Sequence, residues 1–169
     1  LVLERPIAAA TTDRFVIRDT SAQRTIGGGR FIDLRPPARK RRSPERRAQL
    51  GALSGDAPGM IVAELLDTAP YFLDLDRFAR DRALGDVEAA RLFADVIRIP
   101  PESGNIVMSP ARWLRMRQKL LGDLETFHAD NPDQPGIGME RLRLQGEIRP
   151  PAPPFRMILQ GLQRQNLVS

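Results

Sequence analysis

The order of hydrophobic and polar residues divides the chain at the adjacent prolines Pro36 and Pro37. Before them, residues 1–3, 15–18 and 25–33 are short β-leaning runs separated by turn residues, and such runs predict strands. After them, apolar residues recur every three or four positions, a period typical of helices that bury one face. Consecutive prolines favour extended backbone and lack amide donors, so we expect the β region to end there.

The first helical stretch predicts a winged helix. Ser43, Pro44 and Glu45 combine a hydroxyl cap, a proline and a carboxylate, which together start a helix that should reach Leu53. Apolar faces indicate three further helices. The first has the face Met60, Ile61, Leu65 and Leu66, and the second, within residues 73–84, has Leu75, Phe78 and Ala79. The third follows a capping turn at Gly85 and Asp86 and carries the stripe Val87, Ala90, Phe93 and Val96. Residues 98–101 and 105–108 then predict a β-ribbon, and helix, turn, helix and ribbon is winged-helix order.

A second unit of the same kind is predicted to begin at Ser109 and Pro110, which repeat the cap-plus-proline signal. The helix behind them should end near Asn131, and its apolar face is formed by Trp113, Met116, Leu120, Leu124 and Phe127. A short helix at residues 139–144 follows, and after the prolines of 150–154 comes a helix whose face is Phe155, Ile158, Leu159 and Leu162. We expect this unit to be cut within its first wing strand, after Asn166.

Three glycines, Gly27, Gly28 and Gly29, lie inside the third strand-like run. Glycines weaken a strand unless the backbone bends or another backbone approaches closely, so a barrel corner is the favoured interpretation. A phosphate-binding loop is disfavoured, because no Gly-Lys-Ser/Thr follows and no helix begins there.

Charge is distributed unevenly along the chain, although the net charge of +5 and the pI near 10.8 already suggest a polyanionic partner. Residues 1–50 carry twelve Arg/Lys and five Asp/Glu, residues 51–109 five and ten, and residues 110–169 nine and six. RNA contacts are therefore expected at the basic linker and in the last third, and the candidates are Arg39, Lys40, Arg41, Arg42, Arg46, Arg47, Arg156 and Arg164. The alternative for the linker is a solvated basic run with no ligand.

The helices in the recognition position differ between the two units. In the first unit this helix carries Asp86, Glu88 and Asp95 against Arg91, which would repel a phosphate backbone and favours a spacer or a protein contact. In the second unit the helix carries residues able to grip nucleic acid: Arg156, Gln160, Gln163, Arg164 and Gln165.

No catalytic or metal-binding constellation is indicated. The chain has no cysteine, and its single histidine, His128, is placed to face the terminal carbonyls of a long helix rather than a metal. Glu125, Asp130 and Asp133 are near it but lack a recognised ligand spacing. We predict no catalytic residue, cofactor or metal in this chain. With neither a signal peptide nor a long apolar run, we expect a soluble, cytoplasmic protein. We also expect it to be a monomer.

Two motifs carry a family resemblance. The sequence RFVIRDTSAQRTIGGGRFID at residues 14–33, followed by PPARKRRSPERR at 36–47, resembles the join between the third, barrel-type domain and the winged helices of bacterial selenocysteine-specific translation elongation factors. FHADNPDQPGIGMERLR at residues 127–143 is similar to the start of that family's second winged helix. Residues 51–108 match in layout more than in wording.

The resemblance implies a mainly α fold with short β segments, in which a partial β-barrel is followed by tandem winged helices. The domains expected are residues 1–37, 38–108 and 109–169. The family is a GTPase that carries selenocysteinyl-tRNA to a ribosome paused at a recoded UGA, but GTP and Mg²⁺ belong to a domain absent here, so no enzymatic activity is expected of this chain. Contacts with tRNA, the ribosome and an mRNA hairpin are implied for the family. A tandem winged-helix DNA-binding regulator is the alternative.

Overall fold

A computed structural model describes residues 5–99 and 104–167. The strand-like run at residues 1–3 and the loop of the predicted ribbon at 100–103 lie outside the described residues. Along the chain the elements are β1 (Arg14–Arg18), β2 (Thr25–Arg30), α1 (Pro44–Leu53), α2 (Pro58–Asp67), β3 (Leu73–Asp74), α3 (Leu75–Asp81), α4 (Asp86–Leu92), β4 (Ile97–Ile99), β5 (Ile106–Met108), α5 (Pro110–Asp130), α6 (Met139–Gln145) and α7 (Ala152–Arg164). The predicted class, mainly helical with short strands, is confirmed.

Strands β1 and β2 form an antiparallel hairpin before the paired prolines. Gly28 lies opposite Val16, and a Cβ atom added to it would be 2.7 Å from the carbonyl oxygen of Phe15. The glycine run therefore allows a close approach of the two backbones, which a larger residue at this position would prevent. The rings of Phe15 and Phe31 pack 4.9 Å apart across the base of the hairpin.

The first winged helix consists of α2, β3, α3, α4, β4 and β5, and its sheet has the order β3-β5-β4 with antiparallel pairing throughout. Helix α1 precedes it and packs on α2. As predicted, Ser43 caps α1, and its Oγ accepts a hydrogen bond from the Arg46 amide at 3.2 Å. A core of buried aliphatic and aromatic side chains fills the unit: Ala52, Ile61, Val62, Leu65, Leu66, Leu75, Phe78, Phe93 and Val107.

The helix predicted at residues 73–84 is shorter in the structure. Leu73 and Asp74 form β3 and pair with Val107 and Ile106 of β5. The Asp74 side chain then accepts a hydrogen bond from the Arg77 amide at 2.9 Å, which starts α3 at Leu75. A two-residue strand has no periodicity of its own, so only its pairing with a distant strand defines it.

The predicted stripe on α4 is wrong in its first half, at Val87 and Ala90, whereas Phe93 and Val96 pack in or against the core. The helix ends at Leu92 and buries none of its own residues, Val87 is 68% exposed and Ala90 faces solvent. Phe93 is buried in the core at the end of the helix, where its ring packs edge-on against Phe78 with 5.8 Å between the ring centroids, and Leu92 and Val96 are partly buried against the same core. The N-cap residue of α4 is Gly85, and no side chain forms a capping hydrogen bond there. Asp86 is the first residue of the helix itself and does not cap it.

Another predicted core residue, Met60, is 64% exposed on α2. The buried residues of this helix are Ile61, Val62, Leu65 and Leu66. The apolar face that α2 presents to the core therefore passes through Val62 rather than Met60.

Helix α5 starts the second unit and agrees with its prediction at both ends. Ser109 Oγ accepts from the Arg112 amide at 3.3 Å, and Asn131 caps the carboxyl end. Helix α7 begins at Ala152, within the proline-rich segment rather than after it. Prolines are tolerated there because the amide that a proline lacks would have no hydrogen-bond partner within the first turn of a helix. A second core joins these helices: Ile99, Met108, Met116, Leu120, Leu142, Ile148, Phe155, Ile158 and Leu162.

The ribbon of β4 and β5 lies between the two cores. Val107 belongs to the first core, whereas its neighbour Met108 and Ile99 of β4 belong to the second. Successive residues of a strand point to opposite faces of the sheet. Because Val107 and Met108 are both fully buried, both faces of β5 are covered. The wing of the first unit therefore also covers the helices of the second.

Candidate nucleic-acid interface

The basic run occupies a tight turn between the prolines and α1. Residues 39–42 are all exposed, and Lys40 adopts the left-handed conformation with φ of 55°. The Lys40 carbonyl accepts a hydrogen bond from the Ser43 amide at 3.3 Å, and the Nε of Arg41 donates to the Pro37 carbonyl at 3.0 Å. These bonds hold the positive charges close together. Arg47 is exposed on the first turn of α1 and extends the same basic area. We call residues 39–42 with Arg47 the basic turn.

Arg46, also predicted as an RNA contact, is placed differently. It is only 9% exposed, and its guanidinium forms an ion pair with Asp33 and donates to Gln49 Oε1 at 3.3 Å. A phosphate would have to displace a carboxylate from a buried site to reach it, so Arg46 is left out of the interface. Within the basic run nothing marks this residue, because its partner lies thirteen positions earlier in the chain.

The acidic residues Asp56 and Asp81 pair with arginines outside the basic turn. Asp56 pairs with Arg30 at 2.9 Å, and Asp81 pairs with Arg35 at 3.2 Å. Among the described residues, the basic turn itself forms no salt bridge. Glu45 lies beside it, and a hydrogen bond with the Ser43 hydroxyl, aided by the charge of Lys40, lowers its pKa. The turn therefore keeps an excess of positive charge available to an anionic ligand.

A cavity of about 340 Å³ separates the end of the hairpin from α3. Arg82 lines it, with its guanidinium 4.8 Å from the centre of the Phe78 ring. Burial lowers the pKa of Arg82, and its Nη2 has no hydrogen-bond partner within the described part of the chain. The sequence does not single out Arg82, because no periodicity or motif includes it.

The remaining two predicted contacts lie on α7, in the second unit. Arg156 lines a groove of about 820 Å³ between α5 and α7, together with Gln160, Gln163, Glu125 and His128. Arg164 is exposed at the other end of the helix, about 12 Å along its axis. The eight predicted residues thus separate into the basic turn, the buried Arg46 and two single arginines on α7.

The other predicted features can also be located. The α4 residues Asp86, Glu88 and Arg91 are exposed, as is Asp95 just beyond the helix, so the surface in the recognition position is acidic. His128 lies exposed in the last turn of α5. Across residues 5–99 and 104–167, no three His, Cys, Asp or Glu side chains gather as a metal site would require. No helix in that part of the chain is long and apolar enough to cross a membrane.

Comparison with known proteins identifies both ends of the chain. Residues 1–38 match the β-barrel domain of the selenocysteine-specific elongation factor, and residues 121–169 match a winged helix of the elongation factor SelB. The two matched segments flank the basic turn and the first winged helix.

A relative matches across most of the remaining sequence as well. The selenocysteine-specific elongation factor of Escherichia coli (strain K12) is 34% identical over 146 residues, which are 85% of this chain and 23% of the relative. The chain thus spans about a quarter of that protein's length. No solved structure matches the chain significantly. Two domain matches in the expected order, and an identity that extends through the region between them, show that the chain belongs to the family of selenocysteine-specific elongation factors.

Proposed function

We propose that this chain is the part of a selenocysteine-specific elongation factor that joins the barrel domain to the winged helices and contacts RNA at the joint. The whole factor would deliver selenocysteinyl-tRNA to a ribosome at a recoded UGA, with GTP and Mg²⁺ bound by a domain other than those matched here. In this proposal the first winged helix acts as a spacer, and RNA binds at the basic turn, between the barrel domain and this winged helix.

The observation that carries the proposal is the basic turn. Five exposed cations, at residues 39–42 and 47, lie before and on the first turn of α1, and among the described residues they form no salt bridge; the carboxylate of Glu45 lies beside them, so the turn keeps an excess of positive charge. Arginine and lysine side chains in such a cluster neutralise phosphates without reading sequence. Contact with an RNA backbone therefore suits the turn better than recognition of particular bases.

Two features support the spacer role. The acidic surface of α4 disfavours the nucleic-acid contact that a winged helix usually makes with this helix. The wing between the two cores links both units through buried side chains such as Val107 and Met108. Family membership and the acidic α4 both favour translation over the alternative of a DNA-binding regulator.

Removal of charge from the basic turn tests the RNA contact. We expect the variant R39Q/K40Q/R41Q/R42Q to bind tRNA more weakly than the unmodified chain in fluorescence anisotropy titrations at several salt concentrations. The slope of log K against log [salt] should become shallower by about 0.7–0.9 for each phosphate that the variant no longer neutralises.

A matched control removes four exposed arginines elsewhere, in the variant R14Q/R24Q/R91Q/R115Q. It has the same net charge as the first variant, so its affinity for tRNA should fall less if RNA binds at the turn. An equal fall in affinity in the two variants would show general electrostatic attraction and reject the basic turn as the RNA site.

A further inference from the structure

We propose that the buried pair Arg46–Asp33 is a lock that sets the orientation of the β-hairpin relative to the winged helices. The inference rests on the proposed function, in which this chain links two ends of a translation factor. Such a linker keeps the two ends at a defined distance and orientation only if the hairpin and the winged helices do not move relative to each other. Motion between domains is the default where no substantial interface opposes it.

The lock spans the joint. Asp33 lies on the hairpin side, shortly after β2, and Arg46 lies in the first turn of α1. Their side chains are 16% and 10% exposed, so the ion pair is largely removed from water. A pair in such surroundings is held in a single geometry, because separating its charges leaves each one desolvated and unpaired.

Gln49 extends the lock to a third segment. Its Oε1 accepts from Arg46 Nη1 at 3.3 Å, and its Nε2 donates to the carbonyl oxygen of Ala69 at 2.7 Å. Ala69 belongs to the connection between α2 and β3, so the end of the hairpin, α1 and the first winged helix are joined by one chain of hydrogen bonds. Because the guanidinium is planar and donates in two fixed directions here, a lysine could not replace it.

The other links across the joint are weaker or fewer. Asp56 of the pair with Arg30 is 91% exposed. In the pair of Arg35 with Asp81 the arginine is 58% exposed and the aspartate 17% exposed, so one partner keeps its contact with water, and such pairs contribute less than one in which both partners are buried. Two hydrogen bonds to backbone carbonyls also cross the joint: the amide of the buried Thr11 donates to Asp81 at 2.6 Å, and Arg30 Nη2 donates to Ser54 at 2.6 Å. Without the Arg46–Asp33 pair, the described residues would hold the joint through these two hydrogen bonds and two ion pairs that each have an exposed partner, so the hairpin would be freer to rotate.

Distance measurements between spin labels test the lock directly. The chain has no cysteine, so Val16→Cys on β1 and Gln118→Cys on α5, both exposed, give one labelled pair across the joint. We expect a narrow distance distribution in the unmodified chain and roughly a doubling of its width, or more, in R46M and in D33N. R35Q, which removes the ion pair of the 58% exposed Arg35 with Asp81, should leave the width nearly unchanged.

A second labelled pair, Ala63→Cys on α2 with Gln118→Cys, reports on the winged helices alone. In R46M and D33N this distribution should stay narrow. If it broadens as well, the pair serves only general stability, and if neither distribution changes, the joint is held by other contacts; either result overturns the proposal. No RNA enters this experiment, so failure of the proposed RNA contact and failure of the lock are separate outcomes.

Discussion

Glu140 and Arg143 form a charge-assisted pair on α6 that also ties this helix to the start of α7. Arg143 Nε donates to Glu140 Oε2 at 2.9 Å, and its Nη1 donates to the carbonyl oxygen of Pro150 at 3.0 Å. The hydrogen bond from Arg143 lowers the pKa of Glu140 below its ordinary value of 4.5, and the same bond raises the pKa of Arg143. The Arg143 guanidinium thus donates hydrogen bonds to a carboxylate and to a backbone carbonyl at the same time.

An NMR titration of the Glu140 carboxyl group can verify this pair. The folded state lowers the pKa, so the pair adds stability above the unfolded pKa and loses it as pH falls through the folded one. We expect a midpoint below 4.5 in the unmodified chain and a rise toward 4.5 in R143Q. A midpoint that is identical in the two proteins would mean that the pair is not formed in solution.

Among the elements, strand β5 differs most from its neighbours in burial. Ile106, Val107 and Met108 are all buried, and the last two supply opposite cores. A strand covered on both faces is apolar at every position rather than at alternate ones, which is the pattern that this segment carries. The apolar run at residues 106–108 predicts the strand from the sequence, but it does not predict which winged-helix unit covers each face of the strand.

Substitution of Met108 measures how much the second face contributes. We expect M108A to lower the free energy of unfolding in urea by about 2–5 kcal/mol, because it opens a cavity in a packed core. The fluorescence of Trp113, which packs against that core, should change with it. M60A is the matched control, and at 64% exposure it should cost no more than about 0.5 kcal/mol. Similar decreases in both variants would exclude a buried second face.

At the scale of the whole molecule, the charge and the packing follow different boundaries. The first 50 residues are basic and residues 51–109 are acidic, so the electrostatic division falls near α1. The buried contacts instead join the first and second units through the wing, while every residue of β2 is exposed. The two winged-helix units therefore form the cohesive part, and the hairpin is attached to it.

Hydrogen exchange in increasing urea should show this hierarchy. We expect amides in α2 and α5 to lose protection at the same urea concentration, because the shared ribbon couples their cores. Amides in β1 and β2 should lose protection earlier, since a two-stranded sheet is only marginally stable by itself. Loss of protection in α2 well before α5 would contradict a coupled pair.

Features that depend on neighbouring residues were determined by the sequence alone. Ser43 and Ser109 cap their helices as predicted, because a cap involves residues three positions apart. On helix α5, Trp113, Met116, Leu120 and Leu124 of the predicted face pack in or against the second core. The family, too, was evident from two continuous motifs at residues 14–47 and 127–143, which the comparisons then confirmed.

Features that depend on residues far apart in the chain were decided only by the tertiary structure. Arg46 is chemically identical to its neighbours in the basic run, and its burial follows from the position of Asp33 across the joint. Leu73 and Asp74 form a strand because β5 lies beside them, and α4 contacts the core through its carboxyl end, at Leu92 and Phe93, so Val87 in its first turn remains exposed. Local patterns contain the propensity of each segment, whereas burial and pairing require the partner that only the folded chain supplies.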